Sequence, residues 1–291
     1  MLGVNEVLLL LSEVVLSGYP LLIKLVDATV LFQIGLRMFV FAGLGAALAV
    51  LSGAPVLAGG IISMETVLTG LLNLLHVGGS YVGFDQLAAG NAMALFYTYP
   101  IWNILGAALV FGETISYKSL PWIGVALLGT LALVQPTRTN WTVVGVVAAL
   151  LAAVTETGIY LWFKSHKDGE SDQPWTKMIQ MYGSSGIFWL VGVGIALALG
   201  LIGSSVFKLG GGALSSILLF NSLVGFVGYA LRFYLIPKVS TVVFSALSFF
   251  GVISAYLLSW AFTNETANMT QLLGAAAIIV ANAALVTKET A

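Results

Sequence analysis

Two glutamates at corresponding positions of a faint internal repeat are the first candidates for chemistry. Glu13 lies in the first apolar run and Glu156 in the sixth, and the repeat offset of 140 maps Glu156 three residues after Glu13. Residues three apart share one face of a helix. An ionisable side chain at bilayer depth costs a few kcal/mol, so each carboxylate is expected to face a cavity or a partner rather than lipid.

Three roles are open for these carboxylates. In a poorly hydrated cavity each could bind and release a proton. Each could instead bind an ammonium group of a ligand. Each could also pair with Arg37 and Arg232 only to neutralise buried charge. Arg232 itself could line the cavity or extend to the membrane surface.

Other polar side chains recur at steps of three and four residues, which predicts inward-facing helical stripes. The first span carries Glu6, Glu13, Ser17, Pro20 and Lys24, and the third carries Glu65, Thr66, Thr69, Asn73, His76 and Ser80. The eighth carries Asn221, Gly225, Gly228, Tyr229 and Arg232, and the ninth carries Thr241, Ser245, Ser248, Ala255 and Ser259. The small residues of the ninth span could equally serve helix packing.

Histidine and aromatic residues extend this set. His76 could titrate near neutrality or act as a hydrogen-bonded interior residue. Tyr97, Tyr99 and Trp102 surround Pro100, whose ring removes a backbone donor and could bend the helix. These rings could form an aromatic wall for a ligand, or they could be packing and interfacial residues.

Long apolar runs must position these residues. The chain of 291 residues is 59% hydrophobic and has only 23 formally charged side chains, which is typical of a membrane protein. A hydrocarbon layer of about 30 Å needs roughly 20 apolar residues. The runs predict spans at 4–25, 29–51, 58–83, 88–111, 118–134, 141–163, 175–200, 212–236, 241–262 and 268–286.

The ten predicted spans divide into two halves, 1–136 and 137–291. Laying residue n on n+140 pairs Gly18 with Gly158 and Lys24 with Lys164, among several apolar identities. Because five spans are an odd number, the second half must enter the bilayer from the opposite side. The predicted fold is all-α, with ten transmembrane helices in two inverted five-helix repeats.

Basic residues near the span ends predict the orientation. With both termini in the cytoplasm, six Lys residues lie inside and three basic residues lie outside, which follows the positive-inside rule. The inner residues are Lys118, Lys164, Lys167, Lys177, Lys238 and Lys288, and the outer ones are Lys24, Arg138 and Lys208. The expected location is a plasma or inner membrane, with the lipid bilayer as partner.

Several functional classes are disfavoured. The chain has no cysteine and two histidines, so neither a thiolate site nor a metal site is expected. No Gly-Lys-Ser/Thr phosphate loop is present, and a net charge of −1 offers no basic surface for nucleic acid. We therefore expect no cofactor, no enzyme activity and no nucleic-acid partner. No pattern specifies an oligomeric state.

The stretch NAMALFYTYPIWNILGAALVFGETISYKSLPWIGVALLG, residues 91–129, resembles the drug/metabolite transporter superfamily, in particular its ten-helix EamA-type members. In that family a proline precedes a Gly-Glu turn by the spacing that separates Pro100 from Glu113. A weaker second copy places Glu265 and Gly274 as counterparts. The family's lysine ending the first helix and arginine early in the second match Lys24 and Arg37.

This resemblance implies a central cavity that opens alternately to either side, with a small-molecule substrate and a possible coupling proton. Glu113 and Glu265 are interpreted as structural, each capping the helix that follows. Members of this family transport amino acids, drugs, sugars, nucleotide sugars and organic acids. Because Glu13, Glu65 and Glu156 outnumber Arg37 and Arg232, we expect an amino acid or a related amine. The alternatives are hydrophobic cations or drugs, nucleotide sugars or phosphosugars, and a non-transporting receptor or scaffold.

Overall fold

The computed structural model describes residues 3–56, 63–87, 89–135, 141–165, 174–263 and 268–289. Within these ranges the chain forms helices and no strand. The α-helices are α1 Val4–Leu16, α2 Tyr19–Leu25, α3 Val30–Ser52, α4 Met64–Gln86, α5 Ala89–Phe96, α6 Tyr99–Phe111, α7 Leu120–Val134, α8 Val143–Ser165, α9 Pro174–Ala198, α10 Ala213–Leu219, α11 Phe226–Leu235, α12 Thr241–Ser248, α13 Phe250–Thr263 and α14 Met269–Glu289.

The protein is an all-α, multi-pass integral membrane protein. In the described part of the chain, nine helical segments are long and apolar enough to cross a bilayer, and α7 is a shorter apolar helix of 15 residues. The 23 residues of α3 rise about 34 Å, which matches the hydrocarbon thickness. Many leucine, valine and isoleucine side chains lie on the outer surface of these helices, where lipid contacts them in a membrane.

Three spans are interrupted near their middle. α1 ends at Leu16 and α2 begins at Tyr19, with Pro20 in its first turn, while α5 ends at Phe96 and α6 begins at Tyr99, with Pro100 in its first turn. Each proline lacks the N–H that would bind the carbonyl four residues earlier, which breaks the helix. A third break separates α12 from α13 at Phe249.

A π-helical segment, residues 220–225, lies between α10 and α11. One extra residue per turn rotates the side chains that follow, and such bulges are frequent at functional sites. Here Asn221 uses its side chain to accept a hydrogen bond from Tyr19 Oη at 2.9 Å. The bulge therefore ties the eighth predicted span to the break in the first.

Glycines allow close contact between helix pairs. α4 packs on α8, α3 on α9, and α7 on α14. A Cβ at Gly129 would lie 2.8 Å from the carbonyl oxygen of Gly274, and one at Gly274 would lie 2.6 Å from that of Gly129. Only glycine permits this backbone approach, which is common between membrane helices.

We predict that Gly274→Val separates α7 from α14 and destabilises the protein. Overpacking of this kind costs about 1–3 kcal/mol, so the thermal unfolding midpoint of the purified protein in detergent should fall. Gly192→Val is the matched control, because a Cβ there meets no atom within 4 Å. Equal midpoints for the two variants would contradict the close α7–α14 contact.

Candidate central cavity

A buried guanidinium joins two buried carboxylates at the centre of the bundle. Arg232 Nη1 donates to Glu13 Oε1, and its Nη2 donates to Glu156 Oε1 at 2.9 Å. Arg232 Nε also lies 3.2 Å from Glu156 Oε1. All three residues are 3% exposed. The arrangement has one cation for two anions, so it is one positive charge short of neutrality.

Four helices bring this cluster together. α11 supplies Arg232, α1 supplies Glu13, and α8 supplies Glu156. Ser248, at the end of α12, donates to Glu13 Oε1 at 3.4 Å. The ion pairs thus connect segments that are far apart in the sequence, and each segment belongs to a different membrane span.

His76 extends the cluster through a second contact of Glu156. Its Nδ1 lies 3.1 Å from the carbonyl oxygen of Ala152, and its Nε2 lies 3.3 Å from Glu156 Oε2. A carbonyl can only accept, so Nδ1 carries a hydrogen and the neutral ring presents the lone pair of Nε2 to the carboxylate. One proton shared by Nε2 and Oε2 would make this contact favourable. Both atoms are buried, and neither has a hydrogen-bond partner among the described residues.

A cavity of about 60 Å³ lies beside these charges. Its wall includes Leu16 and Phe96. Their carbonyls receive no helical hydrogen bond from Pro20 and Pro100, which have no N–H. The cavity therefore lies beside both helix breaks. The predicted site residues on this wall are Glu13, Ser17, Tyr97, Tyr99, Glu156, Tyr229 and Arg232. Arg37, predicted as a structural residue, also lines it.

A second polar cluster lies two turns along α8 from Glu156. Lys164 Nζ lies 2.9 Å from Glu113 Oε1 and also contacts Thr241, while Thr241 Oγ1 donates to Glu113 Oε2 at 2.6 Å. Glu113 was predicted to cap the helix after it. In the structure it pairs with Lys164 of α8 and accepts a hydrogen bond from Thr241 of α12.

Three predicted cavity residues do not line this cavity and have other environments. Glu65 is exposed and accepts a hydrogen bond from Trp162 Nε1 at 2.6 Å. Asn73 is buried but donates to Ser185 Oγ at 2.9 Å, between α4 and α9. Trp102 is 43% exposed, with its indole N–H donating to Thr98 of the same span. Glu65 and Asn73 were predicted from helical spacing and Trp102 from its position beside Pro100, and neither pattern shows which face meets the cavity.

The other predicted structural residues have simple environments. Pro100 breaks the fourth span as expected, and Lys24 is exposed in the last turn of α2, where it donates to the carbonyl of Leu87 at 3.4 Å. Glu265 lies outside the described residues. Lys164, expected to mark a helix end, is 3% exposed.

Sequence reasoning missed several residues of the cavity. Tyr19 and Tyr81 line it beside Arg37, and neither belongs to a predicted polar stripe. Gly251 was also missed, although a Cβ there would lie 2.5 Å from Tyr97 Oη and 3.0 Å from Glu13 Oε2. The signal that could have indicated the tyrosines is their position one residue from a stripe residue, Pro20 or Ser80.

Comparison with known proteins supports the fold. A solved structure described as "Crystal structure of protein" superposes with a TM-score of 0.73 at 16% identity, covering 96% of this chain and 94% of the other. At this identity the likeness establishes a shared fold over nearly the whole chain. The sequence matches no protein-family model and no curated protein sequence.

Proposed function

We propose that this protein is a secondary-active transporter of small polar metabolites, working by alternating access, with amino acids or related amines as substrates. It resembles the EamA-type members of the drug/metabolite transporter superfamily. In this proposal ten spans form two inverted five-helix repeats, 1–136 and 137–291, with both termini in the cytoplasm. No catalytic step is involved.

The observation that carries the proposal is the group of buried ionised side chains on the cavity wall. Glu13 and Glu156 lie in the middle of apolar membrane spans, Arg232 lies in the last turn of α11, and all three are almost fully buried. Charges at this depth are costly and usually mark substrate or ion pathways. A scaffold protein does not require a cavity lined by these buried charges.

The broken helices give independent support. Irregular backbone at membrane depth is tolerated where it lines a cavity, and discontinuous helices form the binding sites of many transporters. The breaks after Leu16 and Phe96 both adjoin this cavity.

The pairing of helices fits the proposed repeat. α3 packs on α9 and α7 on α14, which are corresponding helices of the two halves. The break between α5 and α6 has its counterpart between α12 and α13. Corresponding elements that contact each other are what a pseudo-two-fold axis between two halves would produce.

Proton coupling is part of the proposal, with Glu156 and Glu13 as candidate sites. Glu156 has the stronger case, because His76 and Arg232 contact its two oxygens separately. Protonation of Glu156 would weaken its pair with Arg232 and change the charge of the cavity. A proton entering from one side could thus be coupled to substrate binding.

Export of hydrophobic cations is the second candidate, since Phe84, Phe96, Tyr97 and Tyr99 give the cavity an aromatic wall. Nucleotide sugars and phosphosugars are less suited. Their phosphates need several free cations, and Arg232 is already bound to two glutamates. A receptor or scaffold without transport is the competing class.

The test is uptake by the purified protein in liposomes, with radiolabelled amino acids, amines, lipophilic cations and nucleotide sugars, with and without a proton gradient. We expect flux of amino acids or amines that the gradient stimulates. Lipophilic-cation flux alone would favour the second candidate. Nucleotide-sugar flux alone would refute the substrate class, and flux of no probe above empty liposomes would favour the scaffold.

A further inference from the structure

Arg37 is a buried cation held by aromatic rings. It is 2% exposed, and its guanidinium carbon lies 4.5 Å from the ring centroid of Tyr19 and 4.6 Å from that of Tyr229. Phe41, Tyr81 and Tyr182 complete the cage at 5.2, 5.8 and 6.0 Å. Cation–π contacts stabilise a desolvated guanidinium, each by about 1–2 kcal/mol, without neutralising its charge.

The Arg37 guanidinium has no anionic partner in the described part of the chain. Its Nη2 donates to Tyr182 Oη at 3.3 Å, and its Nε is buried without a hydrogen-bond partner. The hydroxyls of Tyr81 and Tyr229 also lie beside the guanidinium. A buried charge normally has a counter-ion, because desolvation costs several kcal/mol. The cage therefore leaves the charge of Arg37 without a counter-ion among the described residues, on the wall of the cavity.

The acidic cluster lies on the wall of the same cavity. Glu13 and Glu156 share the single cation Arg232, so that part of the wall is deficient in positive charge. With Glu65 outside the cavity, the lining carries two carboxylates and two guanidinium groups. Its charges are balanced in number. Arg37 makes no ion pair with a described residue, and its charge acts on Glu156 through space.

We propose that Arg37 is the binding site for the carboxylate of the substrate, whose ammonium group faces Glu13 and Glu156. The substrate is then a zwitterion of the amino-acid type rather than a simple amine. A single guanidinium matches one carboxylate in charge and geometry. This inference rests on the proposed function, since it assigns the substrate class of that cavity.

Direct binding to the purified protein in detergent tests the proposal. The probes are leucine with isopentylamine and leucine methyl ester, and phenylalanine with phenethylamine and phenylalanine methyl ester. Within each series the amine and the ester lack the carboxylate charge. Because a hydrogen bond to a charged group contributes about 1.5–3 kcal/mol, at least one amino acid should bind about 10- to 100-fold more tightly than its amine and ester.

Arg37→Gln should remove this preference by weakening amino-acid binding to the amine level while amine binding stays unchanged. Arg37→Lys keeps the charge and should keep part of the preference. Lys24→Met is the matched control, because Lys24 is an exposed cation outside the cavity lining, and it should keep the full preference.

Amines and esters that bind the wild-type protein as tightly as the amino acids would overturn the proposal, even if Arg37→Gln fails to fold. An equal loss of amine and amino-acid binding in Arg37→Gln would also overturn it and leave Arg37 a structural role. Preferential amino-acid binding without flux in liposomes would refute transport alone. Flux without the preference would refute only the role of Arg37, and no binding of any probe would refute both.

Discussion

Arg232→Met is expected to be the most damaging single substitution in the protein. It leaves Glu13 and Glu156 buried with no cation between them, and removal of one partner from a buried ion pair costs about 3–5 kcal/mol. The variant should unfold at a much lower temperature in detergent than the wild type. Transport should be lost as well, since the central charge cluster no longer forms.

Replacing Glu13 and Glu156 by neutral glutamine in the Arg232→Met background should restore folding. The triple variant Arg232→Met, Glu13→Gln, Glu156→Gln removes all three charges of this cluster, so its unfolding midpoint should recover while transport stays absent. Lys208→Met, which removes an exposed cation, is the matched control and should resemble the wild type. A wild-type midpoint for Arg232→Met would show that the cluster does not stabilise the bundle.

Glu156→Gln should separate proton coupling from substrate binding. The amide has the shape of a protonated carboxyl group, so its oxygen can accept from Arg232 while its NH₂ donates to His76 Nε2. The variant should fold normally, and a proton gradient should no longer increase uptake. Exchange of labelled for unlabelled substrate, which needs no net proton movement, should persist.

Glu65→Gln is the matched control for Glu156→Gln, because Glu65 is a membrane glutamate that lies outside the cavity and binds Trp162. Its uptake should respond to the gradient as in the wild type. Wild-type stimulation by the gradient in Glu156→Gln would exclude this residue as the coupling site and leave Glu13 as the remaining candidate.

Much of the membrane architecture could be predicted from sequence, because twenty-residue apolar runs have few other stable environments. The predicted spans overlap the observed helices, although α4 begins at Met64 rather than near residue 58. The expectation that buried charges form ion pairs agrees with the contacts of Glu13, Glu156 and Arg232. These residues are in contact although Glu13 and Arg232 are 219 positions apart in the sequence. Sequence spacing could not predict that both glutamates form ion pairs with Arg232 rather than with Arg37.

One physical reason explains why Glu65 and Asn73, predicted on a helical stripe, do not line the cavity. A polar stripe covers a sector of the helix surface that is wider than one side chain. The packing of the neighbouring helices determines which part of that sector faces the cavity. His76 and Ser80 meet the cavity side of α4, whereas Asn73, on the same stripe, contacts Ser185 of α9. The cage around Arg37 is assembled from tyrosines of four separate spans, and no local pattern encodes that assembly.

The absence of native cysteine makes one labelling measurement decisive for the central cavity. Ser17→Cys places a thiol on the cavity wall, and Ser204→Cys places one at an exposed position as control. In liposomes, a membrane-impermeant thiol reagent should label both, and saturating transported solute should slow labelling at position 17 only. Labelling of Ser17→Cys at an unchanged rate, under conditions where flux is measured, would contradict binding of the solute in this cavity.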